Sequence, residues 1–356
     1  MKPKKINDLR ETYKHMIASR YTDYLQADAA QRGEVFFYIP SSGHEATATI
    51  ARHLIPEDWL HLHYRDRALA YARGVSYETV FNGLFSRDKS NSAGRRMPAF
   101  PCDKSLNILS TPTLVGSNVV QAVGVAHTLK NNPKNPIVLA SVGDGSTQQG
   151  DFYEAIAEAS RNSLPVLFLI EDNRFALSTI TKGNTFYSLP DGSEPDQFYG
   201  INIHHVNGSN AMETDKEISN CIKSIRENSK PSIILLKVER LSSHTNADDQ
   251  SVYRTETDLN NAMKNADPCS ILREHLINTE YSLEEIKSLE SQVKILVDNA
   301  FEIARNGNPP EAAFSAKRAL PAQRSEYLGA NENRNLTMLD AMREALKSQL
   351  KIELKF

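Results

Sequence analysis

Cysteines and long apolar runs are scarce in this 356-residue sequence. Its three cysteines, Cys102, Cys221 and Cys269, are far apart, with no C-x-x-C pair and no histidine cluster beside them. This pattern argues against a disulfide framework and a cysteine-based zinc site, so we expect three reduced thiols. The most apolar stretch, residues 164–170, is far shorter than the ~20 residues that a membrane-spanning helix needs, so no membrane span is expected.

An excess of charge of one sign is also missing. The 41 lysines and arginines nearly balance the 44 aspartates and glutamates, and the net charge is -3. A nucleic-acid binder that relies on bulk basic charge is therefore disfavoured, and a composition of 40% hydrophobic and 24% charged residues is typical of a globular protein. Residues 1–8 resemble neither a signal peptide nor a transit peptide, which favours a cytoplasmic location.

Helical and apolar segments alternate through the middle of the chain. The apolar segments are continuous runs, which is typical of parallel strands covered on both faces by helices. We therefore predict an α/β fold with a doubly wound, mostly parallel sheet, helices on both faces and a ligand site beyond the carboxyl ends of the strands. The predicted strands cover residues 137–142, 166–170, 202–206 and 232–238, and the predicted helices between them cover 119–130, 151–161 and 214–226.

The flanking parts of the sequence differ from this core. Helical patterns precede it at residues 8–25 and 43–54, and an irregular stretch at 87–112 predicts a long functional loop. Helices dominate from Asp267 onward, and the stripe at 283–303 predicts a long amphipathic helix. A polar stretch follows, and a new helical pattern covers 336–346. We divide the chain into a main domain at 1–325 and a separate segment at 326–356.

Polar residues follow two of the predicted strands. Gly143-Asp144-Gly145-Ser146 comes after the first strand, and Asn173 ends the next, with 27 residues between Gly145 and Asn173. Because neighbouring parallel strands end at the same sheet edge, these side chains should converge. A carboxylate and an amide oxygen suit Mg²⁺, and glycines before a helix suit a diphosphate. An Asp-Gly pair alone is more often a tight turn, but the spacing to Asn173 favours the metal site.

This arrangement resembles the thiamin diphosphate and magnesium motif of thiamin-dependent enzymes. Further segments, from about Ser41 to Leu276, are similar to the alpha subunit of branched-chain 2-oxo acid dehydrogenases, and the resemblance implies a thiamin diphosphate-binding fold. The matching segments are His63-Tyr-Arg-Asp-Arg67, Gly94-Arg-Arg-Met-Pro98, Val115-Gly-Ser-Asn-Val-Val-Gln-Ala-Val-Gly124, Gly143-Asp-Gly-Ser-Thr-Gln-Gln-Gly150, and His244-Thr-Asn-Ala-Asp-Asp249 with Tyr253-Arg254.

The resemblance also implies roles for individual residues. Mg²⁺ would be held by the side chains of Asp144 and Asn173 and by the backbone carbonyl of Phe175. His244 would be the catalytic residue, placed beside the thiazolium to aid acyl transfer to a lipoyl group. The remaining residues would contact the cofactor: Tyr64, Arg65, Arg240 and His244 around the diphosphate, Gly143, Asp144, Gly145, Ser146 and Asn173 in the motif itself, and Thr113, in place of a serine, and Val115 at the aminopyrimidine.

Two residues depart from the pattern of these relatives, and one motif has another interpretation. Ser243 stands where they carry a second histidine, and Glu171 stands where they carry an arginine near the cofactor phosphate. Glu171 would weaken cofactor binding or be compensated by a neighbour that the sequence does not identify. Arg65 and Arg67 lie among acidic residues such as Asp58, and a solvated ion-pair face is the alternative there.

The implied activity is thiamin diphosphate-dependent oxidative decarboxylation of a 2-oxo acid, with acyl transfer to a lipoyl-bearing dihydrolipoyl acyltransferase. Alternatives are a pyruvate- or acetoin-type alpha subunit and a non-catalytic assembly subunit. In this family the glutamate that activates the cofactor lies on the beta subunit, so the chain would supply half a site, be inactive alone and form oligomers. Residues 335–346 look like the opening helix of a beta subunit, which favours a truncated fused alpha/beta chain over a separate beta partner.

Overall fold

The computed structural model describes residues 6, 8–100, 102–311 and 336–353. The chain divides into two units, Met1–Pro310 and Glu311–Phe356, and each is described by itself. The domain boundary predicted at 325 lies outside the described residues, as do Pro101 of the predicted loop and the polar stretch at 312–335.

The first unit alternates helices and strands in its central part. Four short 3-10 helices lie at Glu45–His53, Lys104–Leu106, Asp144–Gln148 and Gln250–Val252. The strands are β1 (Trp59–His61), β2 (Val138–Gly143), β3 (Val166–Asp172), β4 (Phe175–Ala176), β5 (Thr179–Ile180), β6 (Gln197–Phe198), β7 (Ile201–Asn207) and β8 (Ser232–Lys237). The helices are α1 (Leu9–Gln31), α2 (Arg67–Arg73), α3 (Tyr77–Leu84), α4 (Ser117–Leu129), α5 (Gly150–Asn162), α6 (Ala211–Asn228), α7 (Glu256–Asn265), α8 (Pro268–Thr279) and α9 (Leu283–Arg305).

A six-stranded sheet forms the centre, in the order β1-β2-β3-β8-β7-β6. The first five strands are parallel, and β6 is antiparallel to β7. Successive residues of β2 enter opposite cores, since Leu139 belongs to one buried cluster and Val138 and Ala140 to the other. Strand side chains alternate between faces, so a sheet covered on both faces needs apolar residues at every position. The predicted doubly wound α/β fold is confirmed.

The short elements were predicted wrongly or not at all from the sequence pattern. Residues 45–53 form a 3-10 helix instead of the predicted α-helix, and Thr47 and Thr49 each donate a hydroxyl hydrogen bond to the carbonyl three residues earlier. The strand β1 and the helices α2 and α3, of three to eight residues, are too short to show a period and were not predicted. The long helix at 283–303 is confirmed as α9, and α1 extends six residues beyond the predicted end at residue 25.

The second unit contains one helix among its described residues, α10 (Met338–Glu353), close to the helical pattern predicted at 336–346. Thr337 accepts a hydrogen bond from the backbone N–H of Asp340 at its start. Its interpretation as the opening helix of a beta-like domain stays a prediction. Across the described part of the chain, none of the helices combines the length and the apolar character that a membrane crossing requires.

The alternative of a solvated ion-pair face around Arg65 and Arg67 is wrong. Both arginines, Asp58 and Asp66 are buried. Arg67 pairs with the buried Asp23 of α1 and donates to the carbonyl of Ile39. These charges are held by directed bonds inside the fold, where water does not screen them.

Asp58 joins the amino ends of β1 and β2 to α6. Its carboxylate accepts both guanidinium nitrogens of Arg226, at 2.6 and 2.8 Å, and the backbone N–H groups of Ile55 and Ile137, at 2.7 and 2.8 Å. A buried carboxylate that accepts four hydrogen bonds is fully satisfied. Its loss would leave a largely buried guanidinium without its charge partner.

We therefore expect Asp58→Ala to lower the free energy of unfolding by about 3–5 kcal/mol, measured by urea titration. Glu158→Ala is the matched control, because Glu158 pairs with Arg161 at the exposed surface. The control should cost less than about 1 kcal/mol. Equal losses in the two variants would contradict the anchoring role of Asp58.

Candidate functional site

A cleft of about 370 Å³ opens where β2 and β3 end. Every predicted site residue except Arg240 lines it. The last residue of β2 and the 3-10 helix after it provide the Gly-Asp-Gly-Ser motif, Asn173 directly follows β3, and Phe175 begins β4. The lining residues from the prediction are Tyr64, Arg65, Thr113, Val115, Gly143, Asp144, Gly145, Ser146, Asn173, Phe175 and His244.

Asp144 and Asn173 form the oxygen-rich end of the cleft. β2 and β3 pair in register up to Gly143 and Glu171, so the two residues lie just beyond the paired ends. Asp144 is 2% exposed and accepts a hydrogen bond from the Thr181 hydroxyl at 2.5 Å. Burial raises the pKa of its carboxyl to about 6. Among the described residues, its side-chain partner is the Thr181 hydroxyl and no cationic group pairs with it.

Asn173 lines the same cleft as Asp144. Its Oδ1 accepts the backbone N–H of Phe175 at 3.1 Å, which fixes the amide orientation. The described residues contain no group of three or more His, Cys, Asp and Glu side chains arranged to hold a metal. A metal here would accordingly draw on the amide oxygen, a backbone carbonyl and the oxygens of a bound ligand, which is the donor set that Mg²⁺ accepts.

The two glycines of the motif differ in whether a larger residue would fit at their positions. A Cβ at Gly145 would lie 2.6 Å from the Cβ of Ala176, so only glycine fits there. A Cβ at Gly143 would lie 3.5 Å from the His63 ring, an ordinary contact. Gly145 therefore permits the close packing of the motif against the turn after Asn173.

Two buried guanidinium groups flank His244 at the other end of the cleft. The imidazole Nδ1 of His244 accepts from Arg65 Nη2 at 3.0 Å and lies 3.4 Å from Arg240 Nη1. Burial and these two cations lower the pKa of His244 to about 3. The ring is therefore neutral at neutral pH, and because Nδ1 accepts, Nε2 carries the hydrogen. Arg240 does not line the cleft itself but reaches it through His244.

Arg65 and Arg240 carry positive charge without an acidic partner among the described residues. Arg65 donates to the carbonyls of Pro40 and His244, and Arg240 donates to the Leu177 carbonyl and the Tyr253 hydroxyl. The buried Nε of each arginine has no hydrogen-bond partner in the described structure. Guanidinium groups of this kind bind phosphate oxygens through charge-assisted hydrogen bonds.

The rim of the cleft is apolar and exposed. Leu114 is 76% exposed and Val115 59%, and Leu177 on the opposite side is 59% exposed. Thr113 lies beside them. These residues are placed to contact a ring that enters the cleft, and the aminopyrimidine contact of Thr113 and Val115 stays a prediction.

Sequence reasoning missed the residues behind the oxygen-rich end. Glu171, expected near the cofactor phosphate, is completely buried and does not line the cleft. Its carboxylate contacts His44 Nδ1 at 2.5 Å and the Ser141 hydroxyl at 2.9 Å. The contact with His44 was not predicted from the sequence, and whether it compensates cofactor binding stays a prediction. His44 lies 127 residues from Glu171, so no local pattern connects the two.

Comparison with known proteins agrees with this geometry. Residues 13–313 match the family described as the dehydrogenase E1 component. The chain is similar to the 2-oxoisovalerate dehydrogenase subunit alpha 1, mitochondrial, of Arabidopsis thaliana, at 27% identity over 78% of this chain and 58% of that protein. It is also similar to two proteins of Bacillus subtilis (strain 168). These are the 2-oxoisovalerate dehydrogenase subunit alpha, at 27% identity over 85% and 93%, and the pyruvate dehydrogenase E1 component subunit alpha, at 29% over 83% and 76%.

The match covers less than two thirds of the two Arabidopsis alpha subunits, 58% of one and 63% of the other. The family match at residues 13–313 includes the sheet, the cleft and every predicted site residue. The chain belongs to the dehydrogenase E1 component family.

Proposed function

We propose that this chain is the alpha component of a 2-oxo acid dehydrogenase and supplies the half of the active site that holds Mg²⁺ and the diphosphate of thiamin diphosphate. One observation carries the proposal. A single cleft is lined by the buried Asp144 carboxylate, the Asn173 amide and the Arg65 guanidinium, with Arg240 behind His244, and neither guanidinium has an acidic partner among the described residues. A divalent cation and a diphosphate would complement both ends.

The residues present fit these groups. Asp144 and Asn173 would hold the metal through their side-chain oxygens, with the backbone carbonyl of Phe175 as a third ligand. Arg65 and Arg240 would bind the phosphate oxygens through guanidinium N–H groups, with Tyr64 beside them. When bound, the cofactor supplies the electron sink for decarboxylation, and the chain supplies placement and charge.

His244 would act on the reacting group and not on the metal. Its neutral ring has an acceptor Nδ1 engaged by Arg65, so the Nε2–H is the group available to substrate. A hydrogen bond donated from Nε2 would orient the acyl group for transfer to the lipoyl group of a dihydrolipoyl acyltransferase. Burial and the two guanidinium groups lower the pKa of the ring, which keeps it from protonating and so preserves this donor geometry.

The substrate class is a 2-oxo acid, and a branched-chain 2-oxo acid is our narrower proposal. The narrower proposal rests on the motif resemblance alone. Sequence identity does not decide it, because the relatives named for 2-oxoisovalerate and for pyruvate are 27% and 29% identical to this chain. A pyruvate- or acetoin-type enzyme is the alternative. Turnover of 2-oxoisovalerate, pyruvate and acetoin by the assembled enzyme distinguishes them.

The active site would need a second subunit or domain. Among the described residues that line the cleft, Asp144 is the only carboxylate, and it lies at the metal end. No described side chain can therefore serve as the glutamate that activates the aminopyrimidine. We propose that a beta subunit, or a beta domain fused after α10, supplies it and covers the apolar rim. A non-catalytic assembly subunit is the remaining alternative, and it would not bind Mg²⁺ and thiamin diphosphate.

Asp144→Ala and Asn173→Ala should each abolish magnesium-dependent binding of thiamin diphosphate without unfolding the protein, because each removes an oxygen ligand from an octahedral site. Calorimetric titration of the assembled enzyme measures the affinity, and circular dichroism checks the fold. Asp151→Ala, in the first turn of α5 and away from the cleft lining, is the control and should bind normally. Unchanged affinity in either site variant would refute the metal assignment.

His244→Ala should bind thiamin diphosphate within a few fold of the native chain yet lose most acylation of a lipoyl domain, since it removes a donor at the reacting centre. Single-turnover assays separate decarboxylation from acyl transfer. His127→Ala, an exposed histidine on α4, should change neither step. Equal losses of binding and acyl transfer in His244→Ala would instead make His244 a structural contact of the phosphates.

The 356-residue chain alone should release no carbon dioxide from 2-oxoisovalerate in the presence of Mg²⁺ and thiamin diphosphate. Addition of a beta-type partner should restore the release, because the partner brings the activating carboxylate. Release by the lone chain at the rate of the mixture would overturn the half-site proposal. Failure of the mixture to bind cofactor would favour the non-catalytic alternative.

A further inference from the structure

A buried row of polar groups lies behind the metal end of the cleft. Glu171 and His44 are both completely buried, and neither lines the cleft. The Glu171 carboxylate is 2.5 Å from His44 Nδ1, and it accepts the Ser141 hydroxyl at 2.9 Å on its other oxygen. His44 Nε2 in turn is 3.4 Å from the Asn173 side-chain nitrogen. The row therefore ends on a residue that faces the cleft.

The hydrogen positions in this row follow from one backbone group. The Phe175 N–H can only donate, so the Asn173 atom facing it is the oxygen, and the amide nitrogen faces His44. Because that nitrogen only donates, His44 Nε2 accepts. The His44 hydrogen then lies on Nδ1 and is donated to Glu171. Each bond determines the direction of the next.

Strand pairing alone does not require a carboxylate at position 171. Its backbone pairs with Gly143 in β2 and with Leu236 in β8, contacts that any residue can make. A buried carboxylate is costly unless it is hydrogen-bonded, and here its neighbours are His44, Ser141, the His63 ring at 3.3 Å and the buried Asp66. One role of the carboxylate is therefore to accept the Nδ1 hydrogen of His44 and so to fix the tautomer of that ring.

We propose that His44 and Glu171 are positioning residues that hold the Asn173 amide with its oxygen toward the metal site. The inference rests on the proposed function, because it takes Asn173 as a metal ligand. Without the acceptor at His44, the amide nitrogen loses its partner, and the Phe175 N–H alone holds the orientation. A rotated amide presents nitrogen, which has no free lone pair for Mg²⁺. Loss of such an outer contact typically weakens metal binding by about 10- to 100-fold.

The test measures Mn²⁺ affinity instead of turnover. The full chain is titrated with Mn²⁺ in the presence of thiamin diphosphate, with the proposed beta-type partner included for every variant, and free Mn²⁺ is followed by electron paramagnetic resonance. His44→Phe keeps the ring size but removes the acceptor, and we expect its affinity to fall by about 10- to 100-fold. His61→Phe is the matched control: His61 is equally buried but bonds Gln121, away from the cleft lining, and its affinity should not change.

A second pair of variants tests Glu171 itself. Glu171→Gln retains an oxygen that accepts the His44 hydrogen, and we expect Mn²⁺ affinity within about twofold of native. Glu171→Leu removes the acceptor and should weaken Mn²⁺ binding as His44→Phe does. If His44→Phe fails to fold, this pair tests the same row. Equal affinities for the Gln and Leu variants would overturn the proposal.

The decisive measurement is the coupling to Asn173. In an Asn173→Asp background both terminal atoms are oxygens, so orientation no longer matters, and adding His44→Phe should change Mn²⁺ affinity by less than about twofold. An equal effect of His44→Phe in both backgrounds would show a general structural role and overturn the positioning role. Unchanged affinity in Asp144→Ala would instead refute the metal site. Loss in Asp144→Ala with none in His44→Phe refutes the positioning role alone.

Discussion

The parallel pairing of β1, β2, β3 and β8 is the constraint on which the cleft depends. All four strands end at one edge of the sheet, and the charged and amide groups of the site follow within a few residues of those ends. Arg65 follows β1, Asp144 follows β2, Asn173 follows β3, and Arg240 follows β8. Residues far apart in sequence thus converge because their strands are neighbours. A register shift of one residue between β2 and β3 would separate Asp144 from Asn173 and reverse the faces that the strand side chains cover.

Burial gives this edge its chemical character. The same exclusion of water that raises the pKa of Asp144 lowers that of His244, because burial disfavours each charged form. The arginines differ, because a buried guanidinium stays protonated and therefore needs hydrogen-bond acceptors for its N–H groups. The result is one end that favours a cation and one that favours an anion. In the proposed function a metal ion and a diphosphate would satisfy both ends together, and the binding of each would assist the other electrostatically.

The sequence was sufficient for features that depend on local patterns. The buried strands β2 and β3 appear as continuous apolar runs, and Asp144 and Asn173 could be found because each directly follows or ends such a run. Elements without a period escaped prediction, as β1 did with three residues. Contacts between distant segments escaped as well. Nothing near residue 44 indicates that its side chain meets Glu171, because the contact exists only after the sheet has formed.

Glu171 illustrates why a departure from a family pattern has to be judged in three dimensions. By resemblance, an acidic residue at this position should oppose the diphosphate. Its carboxylate instead turns away from the cleft, and its charge is met by the His44 ring, by the Ser141 hydroxyl and by the nearby His63, whose Nδ1 is 3.3 Å away. Arg65 and Arg240 remain to provide the cationic end. In our proposal, Glu171 therefore supports Asn173 from behind the cleft instead of contacting the ligand directly.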